Sequence, residues 1–344
     1  MIGRFLMSST PLDDFLSDAG ASAALGERLE RIGLAGSICG LLLVAGLVAF
    51  LAAVHRGSAR EVVVVVRIAR VAGVFVLIGA SIEVAGVASV SGSNWFGALG
   101  DSSAPMIRLL AGVLIVLGLF PDAHPDTQCG DLHQLAESAD GGAEHPVMSG
   151  HTIQDAHELA PVHWNPAVAS AFGLAGAGVG LLSFGFDGHT VSKGPRVVHA
   201  AVNLVHVTAG GVWFGGIVGL VVVAFMRRRS DAAVSPLVVR FSSIATLALI
   251  AVALAGTLMS LMITDGYGDF TDTPWGRILL VKVGAVLVAA GIGAYNHFVM
   301  VPAIDRDPAD PATATLVRRT MTAEALVLLS VVILTVFLTT ASTN

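Results

Sequence analysis

The stretch that decides the fold, residues 198–216, reads VHAAVNLVHVTAGGVWFGG. It lies in an apolar segment long enough to cross a bilayer, yet it contains His199, Asn203 and His206. From His199 to Trp213, steps of four and three residues place the two histidines, the asparagine, a glycine and the tryptophan on one helix face. Ionisable groups are costly at membrane depth and usually face a bundle interior or a cavity. The stretch therefore predicts a membrane helix whose polar stripe faces other helices.

The composition is that of an integral membrane protein. Of the 344 residues, 54% are hydrophobic and 13% are charged, whereas soluble domains average about 25% charged residues. The chain has no basic patch, P-loop, Rossmann glycine pattern, HExxH or nucleophile elbow in a plausible context. We therefore expect a lipid bilayer around the protein, no nucleic-acid partner and no enzymatic activity.

The hydropathy pattern predicts an all-α, polytopic membrane bundle of about eight transmembrane helices. A span needs about 20 apolar residues, and the third candidate is the shortest. Residues 33–120 hold the first three spans, and residues 166–344 hold the other five. The eight segments are 33–54, 68–90, 105–120, 167–186, 197–226, 240–263, 277–300 and 320–341.

Arginines in three of the connections indicate the orientation. The connections between spans one and two, five and six, and seven and eight fall on one side of an eight-span bundle. The positive-inside rule assigns that side to the cytoplasm, so both termini are expected outside. The arginines are Arg56, Arg60, Arg67, Arg70, Arg227, Arg228, Arg229, Arg240, Arg306, Arg318 and Arg319.

Two polar segments flank the first three spans. Residues 1–32 form an N-terminal polar segment, in which positions 11–31 suggest an interfacial helix with one apolar face. Residues 121–165 form an acidic loop with six histidines and no lysine or arginine. The loop lacks zinc-finger spacing, so both loose metal binding and a merely solvated loop are open interpretations.

Five residues form the candidate metal site, which we expect in the outer half of the bundle. His189 follows span four, and His199 and His206 lie on span five about 10 Å apart along the helix. Met259 lies near the outer end of span six, and Glu83 in the outer third of span two. Imidazole and thioether groups suit copper: thioethers favour Cu(I), and imidazole serves either oxidation state. We therefore predict a copper ion held by these side chains.

A smaller polar group lies at the inner end of span seven. Asn296 and His297 would line the inner part of a permeation path, with Asn203 further along it. Lys282 is a candidate partner for the carboxylate of Glu83, because a buried carboxylate needs one. Trp213 is interpreted as a packing residue beside glycines that admit a neighbouring helix.

Other interpretations of the same histidines stay open. A histidine pair in a membrane can simply hydrogen-bond between helices. A b-type cytochrome or another redox protein would use them as haem ligands, although two histidines seven residues apart cannot ligate one haem together. A third alternative is a metal-sensing membrane scaffold that acts through the histidine-rich loop.

Four sequence elements between residues 187 and 302 resemble the copper-resistance D (CopD-like) family of integral membrane proteins. They are Gly188-His189 after span four, His199 and His206 with the Trp213-Phe214-Gly215-Gly216 end of span five, Thr273-Pro274-Trp275-Gly276-Arg277 with Leu280 and Lys282, and Gly293-Ala294-Tyr295-Asn296 followed by Val301-Pro302. The third element has Trp275 where the family pattern has tyrosine.

The resemblance implies a multi-pass protein of the inner cell membrane that handles copper and moves it across that membrane. A copper ion would be its substrate. A periplasmic copper-binding protein and a cytoplasmic copper chaperone are the partners that such a role implies.

Overall fold

The computed structural model describes residues 11–101, 103–119, 124–125, 162–164, 171–186, 195–229, 234–264, 266–307 and 310–340. These residues are almost entirely helical. The helices are α1 Pro11–Ala49, α2 Ala59–Ser91, α3 Trp95–Asp101, α4 Ser103–Gly118, α5 Ala171–Leu182, α6 Arg196–Met226, α7 Ser235–Ile263, α8 Asp269–Asp272, α9 Pro274–Tyr295, α10 Val301–Arg306 and α11 Pro311–Thr340. Two short strands, β1 His124–Pro125 and β2 Val162–His163, pair antiparallel.

Within the described ranges, six helices are long and apolar enough to cross a membrane. They are α1, α2, α6, α7, α11 and the combined helix of α9 and α10, which a π-helical turn at Asn296–Met300 joins. Two shorter apolar helices, Ser103–Gly118 and Ala171–Phe186, lie where spans three and four were predicted. The all-helical, multi-pass fold is confirmed, and the count of eight crossings stays a prediction.

The N-terminal segment is part of the first long helix. α1 begins at Pro11 and continues without a break through the apolar residues to Ala49, where a π-helical turn, Phe50–Val54, ends it. Proline is tolerated at the start of a helix, and no further proline follows in this segment. Residues 11–31 therefore belong to the same helix as the first span, and their position at the membrane interface stays a prediction.

α1 and α2 form a close antiparallel pair. A Cβ atom added at Gly33 would lie 2.5 Å from the carbonyl oxygen of Gly79, and one added at Gly86 would lie 2.7 Å from that of Gly26. α2 begins with a capping box in which Ser58 and Glu61 satisfy each other's backbone N–H groups. Backbone contact of this kind requires glycine, which explains part of the high glycine content.

α6 lies at the centre of the bundle. It packs against α1, α7 and α11, whereas α4 and α5 pack on the other side of α1 and α2. The most apolar 18-residue stretch of α6 is 56% buried within the bundle, compared with 17% for that of α7 and 6% for that of the helix containing α9. Gly211 and Gly215 contact the backbone of α1 at Leu42 and Gly46. The prediction that these glycines admit a neighbouring helix is confirmed.

Three arginine-bearing connections lie at one end of the bundle, here called the arginine end. Arg227, just after α6, donates hydrogen bonds to Glu61 at the start of α2 and to the carbonyl oxygen of Arg56. Ser242 near the start of α7 hydrogen-bonds His297 after α9 over 2.8 Å. The predicted shared side of these connections is confirmed, while its assignment to the cytoplasm stays a prediction.

Candidate functional site

The polar stripe of α6 begins with two buried residues. His199 is fully buried, and Asn203 is 9% exposed. Asn203 donates a hydrogen bond of 2.8 Å from Nδ2 to the carbonyl oxygen of Phe184, at the end of the 3-10 turn that follows α5. Because this carbonyl lies beyond the last regular turn of α5, it needs a side-chain donor. The predicted path residue Asn203 thus fixes α6 against the fourth apolar helix.

His206 faces α7, and its hydrogen bond there determines the tautomer of its imidazole ring. The Nδ1 atom lies 3.1 Å from the carbonyl oxygen of Val252. A carbonyl oxygen can only accept, so Nδ1 carries the proton and Nε2 presents a lone pair. Histidines that bind metals in proteins almost always donate their second ring N–H in this way. Gly256 provides the space, since a Cβ atom there would lie 3.0 Å from Cε1 of His206.

Met259 lies on α7, toward the end of the bundle at which α6 begins and His199 lies. α6 and α7 run antiparallel, and Val252 stands opposite His206, so Met259 lies roughly 10 Å further along α7. Its side chain is half-buried. Among the residues that the structure describes, no three His, Cys, Asp or Glu side chains form a ready metal site. His189 lies outside the described residues.

Glu83 has a different partner from the predicted one. Its Oε1 atom lies 2.7 Å from Nη1 of Arg108 on α4, and both side chains are buried. Arg108 also donates from Nε to the hydroxyl of Ser183 over 3.2 Å. The predicted partner, Lys282, lies on α9 and within charge-interaction range of His206 instead. Arg108 is the partner because α4, which carries it, packs directly on α2.

The Glu83–Arg108 pair adjoins the stripe of α6. The guanidinium of Arg108 lies 5.6 Å from the ring centroid of Phe184, whose carbonyl oxygen binds Asn203. Sequence reasoning did not single out Arg108, although a lone arginine inside the third apolar segment was a visible signal. A cation within a span needs an acid on a neighbouring helix.

A second polar cluster, largely buried, joins α6, α11 and the π-helical turn after α9. The indole Nε1 of Trp213 donates to Oε1 of Glu324 over 3.1 Å, and Asn296 donates from Nδ2 to Oε2 over 3.2 Å. Thr320 donates from its hydroxyl to Oδ1 of Asn296. Glu324 is 3% exposed. We call these four residues, Trp213, Asn296, Thr320 and Glu324, the Glu324 cluster.

The Glu324 cluster changes two predictions. Trp213 is buried as expected, but it is also a hydrogen-bond donor to a carboxylate and so contributes more than packing. Asn296 lies in the π-helical turn that joins α9 to α10, close to Pro302. Proline removes a backbone donor, and π-helical turns recur at functional sites. Glu324 was missed, although it is the sole acidic residue of the eighth apolar segment.

A third buried cluster fixes the arginine end. Arg227 donates to both carboxylate oxygens of Glu61 over 2.7 and 2.9 Å, and His55 lies 3.0 Å from Oε2 of the same residue. Two donors from one guanidinium give the pair a fixed geometry. The cluster joins the start of α2 to the end of α6, so it has an architectural role.

Comparison with known proteins connects this arrangement to copper. Residues 235–338, from α7 to α11, match the model of the family described as copper resistance protein D (CopD). The range begins after α6 and ends past residue 302, so it overlaps the predicted CopD-like core of 187–302 only from residue 235 onward.

One curated protein also matches part of the chain. It is the copper transport protein CutJ of Bacillus subtilis (strain 168), 29% identical over 140 residues. The match covers 40% of this chain and 25% of CutJ, so the chain spans about a quarter of the length of this relative. No solved structure matches the chain. Residues 235–338 are thus similar to the CopD family, and the apolar helices indicate a multi-pass membrane protein.

Proposed function

We propose that this protein moves copper ions across the inner cell membrane. The observation that carries the proposal is the CopD family match over residues 235–338, which include α7 and α11, two of the helices packed against α6. The name of the relative, a copper transport protein, supports the same function. Bundles of this kind carry polar side chains in their interior where a substrate passes.

We propose that copper is met by His189, passes to His199 and then reaches His206, about 10 Å further along α6, with Met259 as a further ligand on the way. His206 has the strongest support, because its Nδ1–H donates to Val252 and leaves Nε2 for a metal. Imidazole and thioether ligands together suit Cu(I), and imidazoles alone also suit Cu(II). The site would lie in the outer half of the bundle, on the far side from the arginine end.

The proposed ligand set excludes Glu83, which was a predicted ligand, and the predicted path residues Asn296 and His297. Glu83 is held by Arg108, so its charge is already neutralised by an ion pair. Asn296 is engaged by Glu324 and Thr320, and His297 by Ser242. We therefore place no copper ligand at the arginine end, where a cytoplasmic copper chaperone would receive the ion. A periplasmic copper-binding protein would supply it at the other end.

The test compares two substitutions at one position. His206→Leu removes the ligand, whereas His206→Met has a similar size and restores a soft sulfur ligand. We expect the leucine variant to lose bound copper, measured by mass spectrometry on purified protein, and to lose copper uptake into proteoliposomes. The methionine variant should keep part of both when copper is supplied as Cu(I).

Val205→Leu is the matched control, since Val205 is 51% exposed on the same helix. It should behave as the wild type. Wild-type copper content and uptake in His206→Leu would contradict the proposed ligand. A Soret band in the purified wild-type protein would instead favour the cytochrome alternative.

A further inference from the structure

Three carboxylates are buried in the described membrane helices, and their surroundings differ. Glu61 and Glu83 each lie 2.7 Å from a guanidinium nitrogen, of Arg227 and Arg108 respectively. Glu324 accepts its hydrogen bonds from an indole and an amide, which are both neutral. A buried carboxylate without a cation is costly in its ionised form, and protonation removes that cost.

The helices packed against Glu324 bring no charge to it. On α6, no lysine, arginine or acidic residue lies between Arg196 and Arg227, and the titratable groups there are His199 and His206. On α1, none lies between Arg31 and His55. The titratable group of α1 in that interval is Cys39.

The charged groups on the other elements near Glu324 are engaged elsewhere or exposed. On α9 and its π-helical turn, they are Arg277, which donates to Thr271 and Asp272, Lys282, which lies near His206, and His297, which faces Ser242, while Tyr295 is exposed. On α11 itself, Arg318 donates to Thr315 and Arg319 is exposed. Among the described residues, the hydrogen-bond donors to the carboxylate are Trp213 and Asn296. Its ionisation is therefore not tied to a fixed counter-charge.

The hydrogen bonds around Glu324 fit both of its protonation states. In the ionised state, Asn296 donates to the carboxylate and its Oδ1 accepts from the hydroxyl of Thr320. The oxygen and nitrogen of an amide exchange places when it turns over, a rearrangement that changes the donors without moving the backbone. The Asn296 amide would then accept from a protonated Glu324 and donate to Thr320.

Thr320 completes this second state. Its hydroxyl also lies 3.0 Å from the carbonyl oxygen of Val317, to which it can donate while accepting from Asn296. No polar atom of the Glu324 cluster loses its partner in either state. The hydrogen-bond network is therefore satisfied in both states and does not itself oppose gain or loss of the proton.

We propose that Glu324 is a proton-binding site that couples copper movement to proton movement. The proton binds to Oε2, comes from the aqueous phase on one side of the membrane and leaves to the other. The coupling rests on the proposed copper transport, whereas the proton site itself does not. Glu324 binds α6 at Trp213, which lies two turns, about 10 Å, from His206 on the same face of α6. A shift of α6 on copper binding would therefore reach the carboxylate directly.

Infrared difference spectroscopy tests the proton site without copper. A protonated carboxyl group has a C=O band that ionised carboxylates lack. Purified wild-type protein should lose such a band as the pH is raised, and Glu324→Gln should lack that pH-dependent band. Trp213→Phe removes a hydrogen-bond donor to the carboxylate, so its band should be lost at a different pH from that of the wild type. Identical pH-difference spectra for the wild type and Glu324→Gln would overturn the proposal.

Copper flux into proteoliposomes tests the coupling. Wild-type flux should change when a pH gradient is imposed, whereas Glu324→Gln should keep flux down a copper gradient and lose its response to the pH gradient. An equal response in both proteins would overturn the coupling. Absence of flux in the wild type would instead overturn copper transport itself, and the infrared band would still decide the proton site.

Discussion

Substitution by alanine should have opposite effects on stability at two glycines of α6. A Cβ atom added at Gly215 would lie 2.7 Å from Cα of Gly46 and 2.7 Å from the carbonyl oxygen of Leu43, both on α1. A Cβ atom added at Gly210 would meet nothing within 4 Å. Both residues are in the same helix, so the difference between them reports the contact with α1 alone.

The magnitudes follow from these distances. Ordinary contact begins at 3.4 Å, so Gly215→Ala must separate two backbones or bend one of them. Overpacking of this kind typically costs about 1–3 kcal/mol of folding free energy. Gly210→Ala has no such cost, and the better helix propensity of alanine should stabilise the protein by about 0.5–1 kcal/mol.

The assay is the midpoint of thermal unfolding in detergent, measured by fluorescence-detected size-exclusion chromatography after heating. We expect the midpoint of Gly215→Ala to fall and that of Gly210→Ala to stay level or rise. Gly46→Ala provides a check from the other helix, because its Cβ would lie 2.1 Å from the carbonyl oxygen of Gly211. Equal midpoints for the two α6 variants would refute the proposed packing of α1 on α6.

The two ion pairs provide further predictions. Arg108→Met leaves the carboxylate of Glu83 buried without its cation and should cost about 3–5 kcal/mol of stability. Adding Glu83→Gln should recover part of that loss in the same thermal assay, and additive losses would contradict a direct pair. Arg227→Met should likewise be rescued in part by Glu61→Gln. In Arg227→Met, a protease should cut the connection between α1 and α2 faster than in the wild type, because loss of the ion pair opens this region locally. Cutting at the wild-type rate would contradict this prediction.

The sequence predicted the membrane helices and the stripe well. Hydropathy identified every long helix, because a span is a local property of about 20 consecutive residues. The spacing of His199, Asn203 and His206 predicted a shared inward face. Charges predicted which connections lie together, and the hydrogen bond from Arg227, after α6, to Glu61 at the start of α2 confirms this for two of them. The helix suggested at residues 11–31 is present as the first part of α1, and its interfacial position stays a prediction.

Partners across helices were harder to predict. Lys282 was the expected partner of Glu83, and the structure gives Arg108 instead. Glu324 was overlooked beside the more visible histidines. Each residue stood out as an ionisable group within an apolar segment, but its partner is more than 20 residues away in the chain.

By itself, the sequence determined that the chain is a membrane bundle, where its helices lie and which face of α6 is polar. These properties follow from hydropathy and helical period, which act over one or two turns. Tertiary structure decided what that face meets: Phe184 at Asn203, Val252 at His206 and Glu324 at Trp213. Lipid solvates every apolar helix equally well, so hydropathy does not encode which helices become neighbours. Close glycine contacts and hydrogen bonds between buried polar groups make that choice.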